Sequence, residues 1–130
     1  MLPVRITLTI TEGVLKGEEF VFHDSARLVL GRSLDCDIAL PTDLLHRDIS
    51  RHHCAFEIDP PAIRVRDLGS LNGTYVNGDK IGQRPASLAQ GGSDHEQSVR
   101  ELRDGDEVRV GDTAIHVRVD VLGLVPMTSG

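Results

Sequence analysis

Aromatic residues are scarce in this sequence, which has one Tyr, three Phe and no Trp among 130 residues. Its core must therefore be built largely from Val, Leu and Ile, and β-branched residues favour strands. The length suffices for one globular core but is too short for a kinase and a second folded unit. These shortages predict a single all-β domain.

Basic residues, cysteines and long apolar runs are also in short supply. The 14 Lys and Arg residues against 20 Asp and Glu give a net charge of −6, so nucleic acid is not expected as a partner. Cys36 and Cys54 form no CxxC pair, no signal peptide opens the chain, and no apolar run could cross a bilayer. These absences predict a cytoplasmic location without membrane insertion.

Alternating apolar and polar residues are the main positive signal. Residues 4–10 show the period of two that is typical of a strand with one buried face. Similar runs, separated by Gly, Asp, Asn and Pro, occur at 19–23, 27–30, 54–58, 63–66, 74–76, 107–110 and 113–121. Many short strands with frequent turns predict a β-sandwich of two antiparallel-rich sheets. We assign 1–122 to this domain and 123–130 to a tail or the start of a linker.

Residues 82–103 interrupt the alternation with Gly, Ser, Gln and charged residues. We expect a long insertion loop near the C-terminal strands. Ser93 and Glu96 have the spacing of a capping box, which would begin a short helix carrying Val99 and Leu102.

The stretch LLHRDISRHHC, residues 44–54, resembles three kinds of catalytic or metal site. His46-Arg47-Asp48 matches the start of a kinase catalytic loop, which also needs an Asn five residues after the Asp and a downstream Asp-Phe-Gly. Position 53 is His and the chain has no Asp-Phe-Gly. We interpret the tripeptide as a chance match.

Metal and hydrolase sites are not expected there either. His52, His53 and Cys54 are consecutive, so on a strand at most two could share a metal. Cys54 continues an apolar alternation, which predicts a small core residue. Ser50 lies near two histidines but outside any Gly-x-Ser-x-Gly elbow. We therefore predict no enzyme, no cofactor and no metal.

Three polar loops at predicted strand ends favour anion binding instead. They carry Arg32, Ser50 with Arg51, and Ser70 with Asn72. Guanidinium groups and a hydroxyl can bind a tetrahedral dianion through charge-assisted hydrogen bonds. Each residue alone could be an ordinary surface or turn residue, but the set predicts a phosphate site.

The same residues resemble the forkhead-associated (FHA) domain, a family of phosphothreonine-peptide readers. The shared motifs are Gly31-Arg32, Ser50-Arg51-x-His53, Asn72-Gly73-Thr74, Asn77-Gly78 and the closing LRDGDEVRVG at 102–111. The resemblance covers about residues 4–121 and agrees with the independent all-β pattern.

The resemblance implies a role for each matching residue. Arg32, Ser50 and Arg51 would contact the phosphate. Asn72 would hydrogen-bond the main chain of the bound peptide, and its neighbours Ser70 and Leu71 would also contact it. The supporting residues would be the buried His53, which braces the Ser50 loop, and the turn-forming Gly31, Gly73, Asn77 and Gly78.

Two positions depart from the family pattern. Leu71 stands where many relatives carry Thr or Ser, so one hydrogen bond to the phosphate is missing or Ser70 supplies it. Asp48 stands where some relatives carry an Arg that selects an acidic residue three places after the phosphothreonine, so that preference is not expected.

The resemblance implies a non-catalytic signalling module. Its partner would be a phosphothreonine-containing protein or peptide, such as a Ser/Thr kinase, a kinase substrate or another part of the same protein. The alternative, motivated by Leu71 and Asp48, is a protein–protein interaction domain that does not depend on phosphate.

Overall fold

The computed structural model describes residues 4–40, 49–82 and 98–121. These residues form eleven strands and no helix. The strands are β1 Val4–Glu12, β2 Glu19–Phe22, β3 Ala26–Gly31, β4 Ile38–Ala39, β5 Cys54–Asp59, β6 Ala62–Asp67, β7 Thr74–Val76, β8 Asp79–Gly82, β9 Val99–Glu101, β10 Glu107–Val110 and β11 Thr113–Val121. Within these ranges, no helix is present that is long and apolar enough to cross a membrane.

The strands form two sheets. One has the order β2-β1-β11-β10-β7-β8, and the other has the order β4-β3-β5-β6-β9. Neighbouring strands pair antiparallel except β3 and β4, which pair parallel. The predicted all-β sandwich with two antiparallel-rich sheets is confirmed.

The core lies between the two sheets and comes from the predicted alternation. On β1, Ile6, Leu8 and Ile10 are fully buried, as expected when every second side chain faces inward. On β5, Cys54 and Phe56 are fully buried as well. Burial raises the pKa of the Cys54 thiol, so this cysteine is a protonated, apolar core residue, as its place in the alternation predicts.

The expectation of a loop across 82–103 is wrong at both ends. Gly82 ends β8, and Val99–Glu101 forms β9, which pairs antiparallel with β6. Val99 therefore lies on a strand and not on a helix. Leu102 is buried, and its amide donates to the carbonyl of Ile63 at 2.8 Å. Residues 83–97, with the predicted capping box, lie outside the described residues.

The strand register brings three connections to the same end of one sheet. Leu30 near the end of β3 pairs with Cys54 at the start of β5, and Cys54 pairs with Asp67 at the end of β6. The residues after β3, before β5 and after β6 therefore lie side by side. These are the three polar loops that the sequence predicts as a binding site.

Candidate functional site

Gly31 lets two of these loops approach each other closely. The amide of Arg32 donates to the carbonyl of Ser50, and the amide of Ser33 donates to the carbonyl of Arg51, both at 3.1 Å. A Cβ atom at Gly31 would lie 2.7 Å from the carbonyl carbon of Arg51 and 2.9 Å from the carbonyl oxygen of Ser50. Glycine is therefore needed at position 31 because it has no side chain, and not because of its backbone conformation, since its φ is not positive.

Arg32 and Ser50 are each anchored by a hydrogen bond within the loops. Arg32 is exposed, and its Nε donates to the carbonyl of Ile49 at 3.0 Å, which orients the guanidinium group. The hydroxyl oxygen of Ser50 accepts from the amide of Leu71 at 2.9 Å. A hydroxyl that accepts a hydrogen bond in this way still carries its own hydrogen and can donate it to a second partner.

His53 holds the Ser50 loop against the loop that follows β6. Its side chain is fully buried. Nδ1 accepts from the amide of Ser50 at 3.1 Å, and Nε2 lies 2.7 Å from the carbonyl oxygen of Gly73. An amide partner requires a lone pair and a carbonyl partner requires N–H, which assigns the neutral tautomer with its proton on Nε2. The imidazole is therefore a structural link.

Asp67, which was not predicted from the sequence as a site residue, organises the loop after β6. The Asp67 side chain is 6% exposed. Its Oδ2 accepts from the amides of Gly69 at 2.9 Å and Ser70 at 3.1 Å, and its Oδ1 accepts from the hydroxyl groups of Ser70 and Thr74, the latter at 2.7 Å. An Asp that accepts from the amide two residues later forms an Asx-turn, which is the signal that could have identified it in DLGS.

The prediction that the Ser70 side chain contacts peptide is wrong. Ser70 is fully buried, its hydroxyl donates to Asp67 at 2.5 Å, and the same oxygen accepts from the amide of Gly73 at 3.0 Å. Ser70 therefore cannot supply the hydroxyl that Leu71 lacks. It belongs to the scaffold of the loop.

Leu71 and Asn72 form the exposed part of this loop. Leu71 is 57% exposed and Asn72 is also exposed. Gly73 follows with a φ of 97°, in the left-handed region that glycine adopts without a steric cost. The turn thus leaves the side chains of Leu71 and Asn72 at the surface beside the Ser50 loop.

Asn77 supports a different turn. It has a φ of 51°, and its side-chain amide donates to Asp106 and accepts from the amide of Glu107, both at 2.9 Å. Gly78 follows with a φ of 90°. This turn joins β7 to β8 and is fixed to Asp106 and to Glu107 at the start of β10.

The three loops enclose an open cleft of about 470 Å³. The residues that line it are Arg32, Ser50, Arg51, His52, Leu68, Gly69 and Leu71. The cleft is therefore lined by two arginines, a serine and two leucines in a chain whose net charge is −6. The other residues of interest in the sequence, His46, Arg47 and Asp48, lie outside the described residues.

His52 is paired at the margin of this cleft. Its Nε2 lies 3.0 Å from Oδ1 of Asp35 in the connection between β3 and β4. The pKa of Asp35 is lowered, first by a hydrogen bond from the side chain of Ser33 and then by the one from His52. The negative charge of Asp35 is thus engaged by His52, which lines the cleft.

The family model of the FHA domain matches residues 28–111. The chain belongs to the FHA domain family. The matched segment includes all three loops of the cleft, so the FHA resemblance noted in the sequence rests on residues that the fold brings together. The cleft contains Arg32, Ser50, Arg51 and Leu71, whereas Asn72 lies beside Leu71 at the exposed tip of its loop.

Curated relatives and solved structures agree with this family. The chain is 34% identical to the glycogen accumulation regulator GarA of Mycobacterium tuberculosis over 84% of this chain and 54% of GarA. It therefore spans about half the length of that relative. A structure described as part of an analysis of phosphothreonine-dependent FHA domain interactions is 26% identical, with a TM-score of 0.67 over 91% of this chain and 99% of that one.

A further similar structure is the FhaA FHA domain complexed with the intracellular domain of Rv3910. It is 26% identical and has a TM-score of 0.64 over 87% of this chain and 99% of that chain. The similarity thus extends over almost the whole of an isolated FHA domain.

Proposed function

We propose that this FHA domain is a non-catalytic signalling module that binds phosphothreonine-containing segments of other proteins through the cleft between its strand-end loops. The observation that carries the proposal is the convergence of Arg32, Ser50 and Arg51 on one cleft. Arg32 is 18 positions from Ser50 and 19 from Arg51 in the sequence. Consecutive hydrogen bonds from the amides of Arg32 and Ser33 to the carbonyls of Ser50 and Arg51 nevertheless join the two segments.

The phosphate would be held by charge and by directed donors. The guanidinium groups of Arg32 and Arg51 attract a dianion and donate to its oxygens, and the hydroxyl of Ser50 adds a third donor. Because Ser50 is held by Leu71 and by His53, little ordering of this donor is needed when the ligand binds.

The peptide would lie across the loop after β6. Asn72 is the candidate for hydrogen bonds to its main chain, and Leu71 is a candidate contact. Leu68 and Leu71 are the apolar side chains of the cleft, and they are available to pack against the threonine methyl group. The structures of similar FHA domains described as phosphothreonine-dependent or as complexed with a protein domain support this use of the fold.

The partner class follows from the ligand. We infer a protein phosphorylated on threonine, such as a Ser/Thr kinase or its substrate, with the cytoplasm as the place of encounter. Residues 1–122 would form the reader and 123–130 its tail. No cofactor or metal is needed for phosphate binding of this kind, since the donors are all side chains of the chain itself.

The test is a calorimetric titration with matched peptide libraries that differ only in phosphorylation of the central threonine. Binding of the phosphorylated library alone is expected. Equal binding of both libraries would contradict the proposal and favour the second candidate, a phosphate-independent interaction domain. That candidate is favoured by two exposed leucines: Leu71 in the cleft, which is 57% exposed, and Leu34 in the connection between β3 and β4, which is 94% exposed.

A further inference from the structure

Beside the cleft, three potential metal ligands from two loops lie together. They are Asp35 and Cys36 from the connection between β3 and β4, and His52 from the turn before β5. One ligand atom from each residue lies within 4.8 Å of the other two. In the sequence His52 adjoins His53 and Cys54, but the fold brings it together with residues 16 and 17 positions earlier in the chain.

The three donor atoms match the preferences of one class of ion. A thiolate, an imidazole nitrogen and a carboxylate oxygen are the ligands of Zn²⁺, which takes four ligands at about 2.0–2.3 Å in a tetrahedron. Harder ions such as Mg²⁺ and Ca²⁺ prefer all-oxygen sites. We propose that Asp35, Cys36 and His52 bind one zinc-class divalent ion, with solvent in the fourth position.

Access and orientation fit this assignment. The side chain of Asp35 is 70% exposed and that of His52 is 48% exposed, so an ion reaches them directly from solvent. Nε2 of His52 and Oδ1 of Asp35 are already 3.0 Å apart, which is close to the separation of two ligands on one zinc ion. Cys36 is 8% exposed and closes the inner side of the site.

Metal binding releases the thiol proton and replaces two hydrogen bonds. The bond from Nε2 of His52 to Asp35 is lost when both atoms bind the ion, and the neutral imidazole then carries its hydrogen on Nδ1. The Cys36 thiol donates to the carbonyl of Arg51 at 3.1 Å, and burial raises its pKa, so it is protonated at neutral pH. Zn²⁺ forms a bond to Sγ as the S–H bond breaks, and the proton passes to solvent. The carbonyl of Arg51 keeps its other donor, the amide of Ser33.

The ion would join two loops that otherwise meet through hydrogen bonds. Asp35 and Cys36 lie on one loop and His52 on the other, so a shared ion cross-links them. A ligand that binds the folded state alone raises the melting temperature. Zinc is therefore expected to stabilise the wild-type chain and to lose this effect when a ligand residue is replaced.

The test uses Zn²⁺ in calorimetry and Co²⁺ as a spectroscopic substitute on the full chain, with Cys36→Ser, His52→Asn and Asp35→Asn as site variants. His116→Ala is the control, since His116 is exposed on β11 and outside the cluster. We expect one Zn²⁺ per wild-type chain, at least tenfold weaker binding in Cys36→Ser and His52→Asn, and unchanged binding in His116→Ala.

The absorption spectrum of bound Co²⁺ distinguishes this site from nonspecific metal binding by surface histidines. A thiolate-to-cobalt charge-transfer band is expected in the wild-type chain and in His116→Ala, and its loss is expected in Cys36→Ser. A wild-type chain without this band would overturn the proposal, as would unchanged Zn²⁺ affinity in His52→Asn. Because His52 is exposed, its replacement is not expected to unfold the chain, so weaker binding in this variant reports the loss of a ligand.

Discussion

The imidazole of His53 donates from Nε2 to the carbonyl oxygen of Gly73 at 2.7 Å, which connects the turn before β5 to the turn before β7. The other ring nitrogen accepts from the amide of Ser50. Two loops of the cleft are therefore set by one buried side chain that does not line the cleft itself.

His53→Ala is expected to lower both the melting temperature and the affinity for phosphothreonine peptide. The substitution leaves a cavity and removes the partners of two backbone groups, and losing such a buried group costs about 1–3 kcal/mol. Thermal melts and calorimetry check this, with His116→Ala as the exposed control. A variant that melts like the wild type but no longer binds would show that His53 contacts the ligand directly.

Asp67→Asn is expected to destabilise the chain although the side chain keeps its size. Oδ1 and Oδ2 both accept hydrogen bonds from the following loop, whereas the amide group of Asn has one oxygen and cannot accept at its nitrogen. The expected loss is about 1–3 kcal/mol of unfolding free energy, measured by urea denaturation. The exposed Asp79→Asn serves as control, and an equal midpoint for both variants would contradict the assigned role of Asp67.

The strands were predictable because period-two alternation follows from the pleat of a half-buried strand. β4, β8 and β9 were not, since β4 has only two residues and the side chains of β8 and β9 do not alternate between buried and exposed. Ser70 was misassigned for a related reason. The two residues that follow it, Leu71 and Asn72, are exposed, and only the position of Asp67 determines that the Ser70 hydroxyl points inward.

Arg32→Ala is expected to weaken phosphopeptide binding by at least tenfold with little change in stability. A charge-assisted hydrogen bond to phosphate contributes about 1.5–3 kcal/mol, while an exposed arginine contributes little to folding. Calorimetry with one phosphothreonine peptide gives the affinity, and a thermal melt confirms the fold. The control is Arg118→Ala on the outer face of β11, and unchanged affinity in Arg32→Ala would refute the phosphate-site assignment.

Glu57 is expected to make part of the stability sensitive to acid. A two-point contact from Arg66, at 2.9 and 3.2 Å, holds the pKa of Glu57 below its usual value of 4.5. Because the folded-state pKa is lowered, this contribution is complete above pH 4.5 and is lost as pH falls through the lower, folded value.

Unfolding free energies of the wild type and Glu57→Gln should therefore converge as pH decreases from neutrality to below 4. Denaturant titrations at several pH values measure this, with the exposed Glu18→Gln as control. A constant difference between the wild type and Glu57→Gln across this range would show that the ion pair does not contribute to the pH dependence.

Phosphopeptide binding is expected to weaken at low pH because the ligand itself gains a proton. The second pKa of phosphothreonine is about 6, so the dianion fraction falls about fourfold between about pH 7.5 and about pH 5.5. The cleft arginines remain charged throughout this range. Histidine side chains in general can change charge in the same window, so a variant that lacks the cleft histidine His52 is a necessary comparison.

Titrations at several pH values with wild type and His52→Ala, using a phosphothreonine and a phosphoserine version of one peptide, separate these effects. We expect about fourfold weaker binding at low pH in both proteins, and about fourfold weaker binding of phosphoserine at each pH, because one buried methyl group is worth about 0.8 kcal/mol. Equal affinities for the two peptides would exclude a methyl contact with Leu68 or Leu71. Tighter binding at about pH 5.5 would show that histidine charge, and not the dianion held by Arg32 and Arg51, governs recognition.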